Sequence, residues 1–162
     1  MLVKLMPEQV AEYWEVISPY IEDTLPPINS QNGTMTSILS SILMGTMDCW
    51  SIVERHSMDD IEDITIYGYV TTTVQSDECS EHKSLLIYSL FTDKTIPVRM
   101  IKDGIQTLLK EAKHKGCHNL SAYTEEESIL SFTKRFMKAS SMEYITIPIK
   151  QNIERGEHDE DL

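Results

Sequence analysis

Two short segments set a thiol and an imidazole three residues apart: Cys79-Ser80-Glu81-His82 and His114-Lys115-Gly116-Cys117-His118. Cys79, His82, His114 and Cys117 together would offer four N/S ligands, the donor set that tetrahedral zinc prefers. Their spacing follows no finger pattern, and two polar turns with incidental Cys and His explain the same residues, so no metal is expected. Cys117 as a nucleophile would need a base. His118 is its neighbour in sequence, but adjacent strand residues point to opposite faces, so Cys117 reads as a structural cysteine. Glu125, Glu126 and Glu127 resemble a paired-carboxylate site, yet negative charge in a first helical turn is stabilised by the helix dipole. Arg99 and Lys102 stand near a helix start, where an anion could bind; plain solvation explains them as well. None of these groups is a catalytic residue on sequence grounds.

The elements that must position such residues are clearest between Ser84 and Thr124. SLLIYSLFT is an apolar strand, IPVRMIKDGIQTLLKEAKHKG a helix opened by a proline and closed by Gly116-Cys117, and HNLSAYT a returning strand. A right-handed crossover lays these two strands parallel, and the turn before the helix is where βαβ units often hold phosphate. The helix stripe is Ile101, Ile105, Leu108, Leu109 and Ala112. Upstream, Leu2 to Leu5 is a short strand, and Pro7 opens a helix carrying Val10, Trp14, Ile17 and Ile21, which Pro19 kinks or splits. LPPINSQNG connects it to a second helix, capped by Thr34, with Met35, Ile38, Leu39, Ile42 and Leu43 on one face and Gly45 at its end. CWSIVE, the alternating run Ile64 to Val74, and SLLIYSLF form an antiparallel meander. Thr124 and Glu127 make a capping box for a last helix that buries Ile129, Leu130, Thr133, Phe136 and Met137. Met142 to Ile149 is a final strand. The fold class is therefore α+β: a mixed central sheet with an antiparallel meander and one parallel pair joined by a crossover helix. Residues 1–149 form a single domain, and 150–162 an acidic C-terminal tail too poor in apolar residues to pack alone.

A chain of 162 residues has room for one ordinary core. Its 26 acidic and 14 basic residues give a net charge of −12, which argues against nucleic acid, whose phosphates require clustered Lys and Arg. No apolar run approaches the ~18 residues of a membrane span, and MLVKLM lacks the features of a signal peptide. Three cysteines without a CxxC pair indicate neither a disulfide framework nor a redox motif, which fits a cytoplasmic protein.

The order of elements resembles the GNAT (GCN5-related N-acetyltransferase) fold over about residues 2 to 149. Its most specific part is SLLIYSLFT followed by GIQTLLKEAKHKGCHNLSAYT, which looks like the acetyl-CoA-binding βαβ core of that superfamily. The resemblance implies a [Q/R]xxGx[G/A] loop at the helix start. Alignment on Gly116 and Cys117 puts Ile96, Pro97, Val98, Arg99, Met100 and Ile101 there, without either glycine. The family's Asn and Tyr of the last helix fall on Glu126 and Thr133, and an alkyl hydroxyl is too weak an acid for the role of that Tyr. The central strands SLLIYSLFT and TIYGYVTTTV carry no carboxylate for a general base. These departures point to a non-catalytic GNAT-like interaction or structural protein that needs no cofactor and works through protein partners. The chain also resembles small GNAT-like proteins of tailed phages, some of them virion components, which implies a virion-associated accessory role. The alternative is an acyl-CoA-dependent N-acetyltransferase with a divergent pyrophosphate loop. Acetyl-CoA would then lie against Leu90 and Phe91 for its pantetheine and against Arg99, Met100 and Ile101 for its phosphates. A third reading is an inhibitor that sets its acidic surface against a basic site.

Overall fold

The computed structural model describes residues 1–25, 34–58, 61–123 and 127–141. They fall in two compact units, Met1–Tyr123 and Thr124–Leu162. The first contains β1 (Leu2–Lys4), α1 (Pro7–Glu12), α2 (Trp14–Glu22), α3 (Thr34–Leu43), β2 (Met47–Met58), β3 (Ile61–Ser76), β4 (Lys83–Thr92), α4 (Val98–His114) and β5 (Asn119–Ala122); the second contains α5 (Glu127–Met137). The expected LPPINSQNG connector, the Thr124–Glu127 capping box, the strand at 142–149 and the boundary before the acidic tail lie wholly or in part outside the described residues.

The five strands lie in the order β1-β2-β3-β4-β5. β1 to β4 pair antiparallel, and β4 pairs with β5 in parallel, as the crossover requires. Alternation along the strands sends side chains to two cores. On one face Val10, Ile17, Ile21, Ile38 and Ile42 from α1, α2 and α3 pack on Met47, Cys49 and Tyr69. On the other, Leu108 of α4 packs with Leu2, Trp50, Ile52 and Val70. Each buried aliphatic contributes on the order of 1.5–3 kcal/mol. Because helices cover both faces at the sheet centre, even Thr71 and Thr72 of β3 are buried, and each finds a partner. Trp50 Nε1 donates to Thr72 Oγ1 at 3.0 Å, and the Thr71 and Ser89 hydroxyls meet at 2.6 Å.

The helix boundaries differ from expectation in two places. The first helical segment breaks at Tyr13 (φ −103°, ψ 18°), and Pro19 sits inside α2. On α4, Ile101 and Leu109 are exposed, whereas Leu108 and Ala112 are buried and Met100 packs on the sheet. The helix is rotated relative to the expected stripe because Glu111 and Lys115 share its inner side. Lys115 Nζ reaches Asp48 Oδ2 at 2.5 Å, while Lys4 Nζ bridges Asp48 and Glu111, 3.0 Å from each. Gly116, at φ 70°, ends α4 in a Schellman turn: the Gly116 amide donates to Lys113 O and the Cys117 amide to Ala112 O. This anchored C-terminus and the Met100 contact fix where the N-terminus of α4 lies.

In the second unit α5 carries Lys134 and Arg135 in its last turn, where positive charge complements the dipole.

Candidate functional site

A fork opens between the two parallel strands. β5 pairs with β4 only from Ser84 to Ile87. At that point β4 bulges: Thr72 faces Ile87 and Thr71 faces Ser89, which makes Tyr88 the extra residue of the bulge. A bulge of this kind bends its strand and turns it away from a neighbour. Among the described residues no strand covers the backbone edge from Ser89 to Thr92, an edge to which an extended ligand carrying amides could add.

Leu90 and Phe91 lie on this edge. Leu90 is 42% exposed, while the Phe91 ring turns to the opposite face and packs on Tyr20, centroids 4.9 Å apart. Ile96 and Met100 pack into the core that also receives Ile87 and Leu120 from the closed part of the fork. The start of α4 therefore stands beside the fork. Pro97 is its N-cap, with no N–H to offer, and Met100 N donates back to Pro97 O at 2.8 Å. Among the described residues no carbonyl accepts the Val98 and Arg99 amides. The Arg99 side chain is 92% exposed, and its ion pair with Asp103, at 3.9 Å, is weak. It extends into solvent rather than over the helix end, so the missing glycine does not close that end. Ile101 is also exposed. Of the five residues expected to hold a cofactor, Leu90 and Phe91 thus lie on β4 beyond its pairing with β5, and Arg99, Met100 and Ile101 in the first turn of α4.

The four candidate ligands Cys79, His82, His114 and Cys117 do not converge. Among the described residues no group of three or more His, Cys, Asp or Glu stands in position to hold a metal ion. The two turns do meet, through His82 of that set and through His118, which lies outside it. His82 and His118 stack with centroids 4.8 Å apart, and Lys83 N donates to His118 Nδ1 at 3.1 Å. Cys79 is exposed, Cys117 half-buried and Cys49 fully buried. Burial pushes the Cys49 thiol up to about 12, which leaves it no thiolate for attack at neutral pH. Thr133 belongs to the second unit.

Sequence reasoning missed a second feature on the α2 side of the sheet. A cavity of about 150 Å³ is lined by Val16, Tyr20, Ile66, Gly68, Tyr69 and Asp93. Asp93 follows β4 directly, outside the strand strings searched for a carboxylate, and its amide donates to Tyr67 O. Burial raises the Tyr69 phenol above its ordinary value, and the nearby Cys49, Tyr20 and Asp93 add to this. Gly68 was the legible signal. A Cβ there would lie 1.9 Å from the Phe91 carbonyl oxygen, so only glycine lets β3 and β4 approach at this point.

No family model matches the chain, and no curated protein matches it. Solved structures do, and they define a class: the architecture is the GNAT acetyltransferase fold. An acetyltransferase of Trypanosoma brucei superposes with a TM-score of 0.58 at 16% identity, covering 92% of this chain and 99% of that one. A predicted acetyltransferase from Clostridium acetobutylicum, solved with acetyl-CoA, gives a TM-score of 0.59 at 11% identity over 93% and 97% of the two chains. The aminoglycoside acetyltransferase AAC(6')-Iy, in complex with the bisubstrate analog CoA-S-monomethyl-acetylneamine, gives 0.58 at 12% identity over 91% and 95%. No helix among the described residues is long and apolar enough to cross a membrane.

Proposed function

We propose that the chain is an acyl-CoA-dependent N-acyltransferase that receives its acyl donor in the fork between β4 and β5. The observation that carries this reading is that β4–β5 pairing stops at Ile87, beside a bulge in β4, so that among the described residues no strand covers Ser89 to Thr92 and no carbonyl accepts the Val98 and Arg99 amides. Neighbours of the same fold that are solved with acetyl-CoA or a CoA analog favour acyl transfer over a non-catalytic role. The virion-component reading receives no support from them.

In this reading the backbone of Ser89 to Thr92 pairs with the pantetheine amides, as an added strand would. The helix dipole and two amides at the start of α4 face the diphosphate, and Arg99 supplies the charge that a glycine loop would leave to the backbone. The donor brings the acyl group as a thioester. Transfer forms an N–C bond and breaks the C–S bond; the amine loses a proton to Asp93 or to water, and the sulfur leaves as the thiol.

Calorimetry with acetyl-CoA tests the proposal. A dissociation constant tighter than about 100 μM, or about −5.5 kcal/mol, is expected. Absence of binding at millimolar ligand would overturn it and return the chain to the interaction role.

A further inference from the structure

The cavity beneath α2 has the composition of a site for a small cation. Tyr20 and Tyr69 present aromatic walls with centroids 5.6 Å apart, Gly68 leaves the floor bare, and Asp93 supplies a carboxylate. Among the described residues no basic one lines it. Asp93 is the one charged side chain among the lining residues described, so the local charge disfavours a negative guest and favours a positive one. At the rim, Val16 and Ile66 are 56% and 46% exposed although both are aliphatic. They offer an apolar collar for the body of a ligand whose charged end reaches Asp93.

Size narrows the guest further. A cavity of about 150 Å³ accommodates a benzene-sized body and falls well below a drug-sized pocket. An ammonium held over tyrosine faces gains cation–π attraction as well as the carboxylate's charge. The cavity also borders the proposed donor site through one side chain, because Phe91 belongs to the open edge and its ring packs on Tyr20.

We infer that this cavity is the acceptor subsite, and that its substrate is a small primary monoamine with a compact apolar body. The acceptor role rests on the acyltransferase reading; the amine site itself does not.

The test uses the full chain without any acyl-CoA, and benzylamine as the probe. Titration followed by backbone amide shifts is expected to show saturable binding on the order of 1 mM, with shifts centred on Tyr20, Gly68, Tyr69 and Asp93. Benzyl alcohol, the neutral analogue, is expected to bind about fivefold more weakly, and Asp93→Asn to weaken benzylamine by about fivefold. Asp93 lies at the surface, so this variant is expected to fold; its amide spectrum checks that. Equal binding of amine and alcohol, indifference to Asp93→Asn, or shifts located elsewhere would overturn the inference. A chain that binds benzylamine here but not acetyl-CoA refutes the acyl-transfer reading alone. One that binds acetyl-CoA but not the amine refutes the subsite alone.

Discussion

Replacing Gly68 by alanine should be among the most damaging single-methyl additions possible in this chain. The new Cβ would sit 1.9 Å from the Phe91 carbonyl oxygen and 2.9 Å from both the Phe91 carbonyl carbon and Thr92 Cα. All three are backbone atoms, so no rotamer change relieves the clash; β4 itself must move by more than 1 Å. That movement strains or breaks the ladder where Gly68 faces Thr92 and Tyr69 faces Phe91. Two lost hydrogen bonds at about 1 kcal/mol each, with a further 1 kcal/mol or so of overpacking, give about 3 kcal/mol. In a chain of this size that corresponds to a fall in Tm of about 6–12 °C. The assay is thermal or urea unfolding of Gly68→Ala beside wild type, with Gly104→Ala as control, since nothing lies within 4 Å of a Cβ at Gly104 and its helical backbone accepts alanine. A loss below about 1 kcal/mol, or a larger loss in the control, would refute the claim that a close approach of β3 and β4 is built on this residue.

Thiol labelling should follow burial: Cys79 reacts first, Cys117 more slowly, and Cys49, held at about 12, only as the chain unfolds, which mass spectrometry of timed digests would show. Asp48→Ala leaves Lys115 and Lys4 without their shared carboxylate on a largely buried patch and should cost about 2–3 kcal/mol in urea unfolding; a cost under about 0.5 kcal/mol would mean that α4 is anchored by packing alone. Burial works against the Lys4 ammonium, but its hydrogen bonds and charge pairs with Asp48 and Glu111 outweigh that and hold its pKa above 10.5. A raised folded value means that this contribution is complete below 10.5 and is lost as pH climbs through the folded value, so stability should decline in alkali more steeply in wild type than in Lys4→Met. Arg99→Ala should weaken acetyl-CoA by about fivefold, the share of one exposed charged contact, and leave acetyl-pantetheine unchanged; equal loss for both would place Arg99 away from the phosphates.

Much of this architecture was legible because local signals and long-range packing agreed. The strand-helix-strand unit from Ser84 to Thr124 carries its own boundaries in Pro97 and in the Gly116 turn, and alternation marks β3. The rotation of α4 was not legible. Apolar spacing alone places Ile101 and Leu109 inward, whereas charges distant in sequence, Lys4 and Asp48, select the side that carries Glu111 and Lys115. The fork was equally hidden, since nothing in SLLIYSLFT distinguishes Tyr88 as the extra residue of a bulge; the bulge arises from how β4 meets β3 across Thr71 and Thr72. Asp93 was missed because a carboxylate was sought within the strands, and this one stands one residue past the end of β4. Absence of the glycine loop argued against a donor site, but the exposed Arg99 side chain leaves the helix end accessible.

The most direct test of the fork is amide hydrogen exchange with and without saturating acetyl-CoA. The open-edge reading predicts ligand-dependent protection within Ser89 to Thr92 and at Val98 and Arg99, with little change in β1 or β2. Binding that leaves those amides exchanging as in the free chain, or that protects another surface instead, would contradict it.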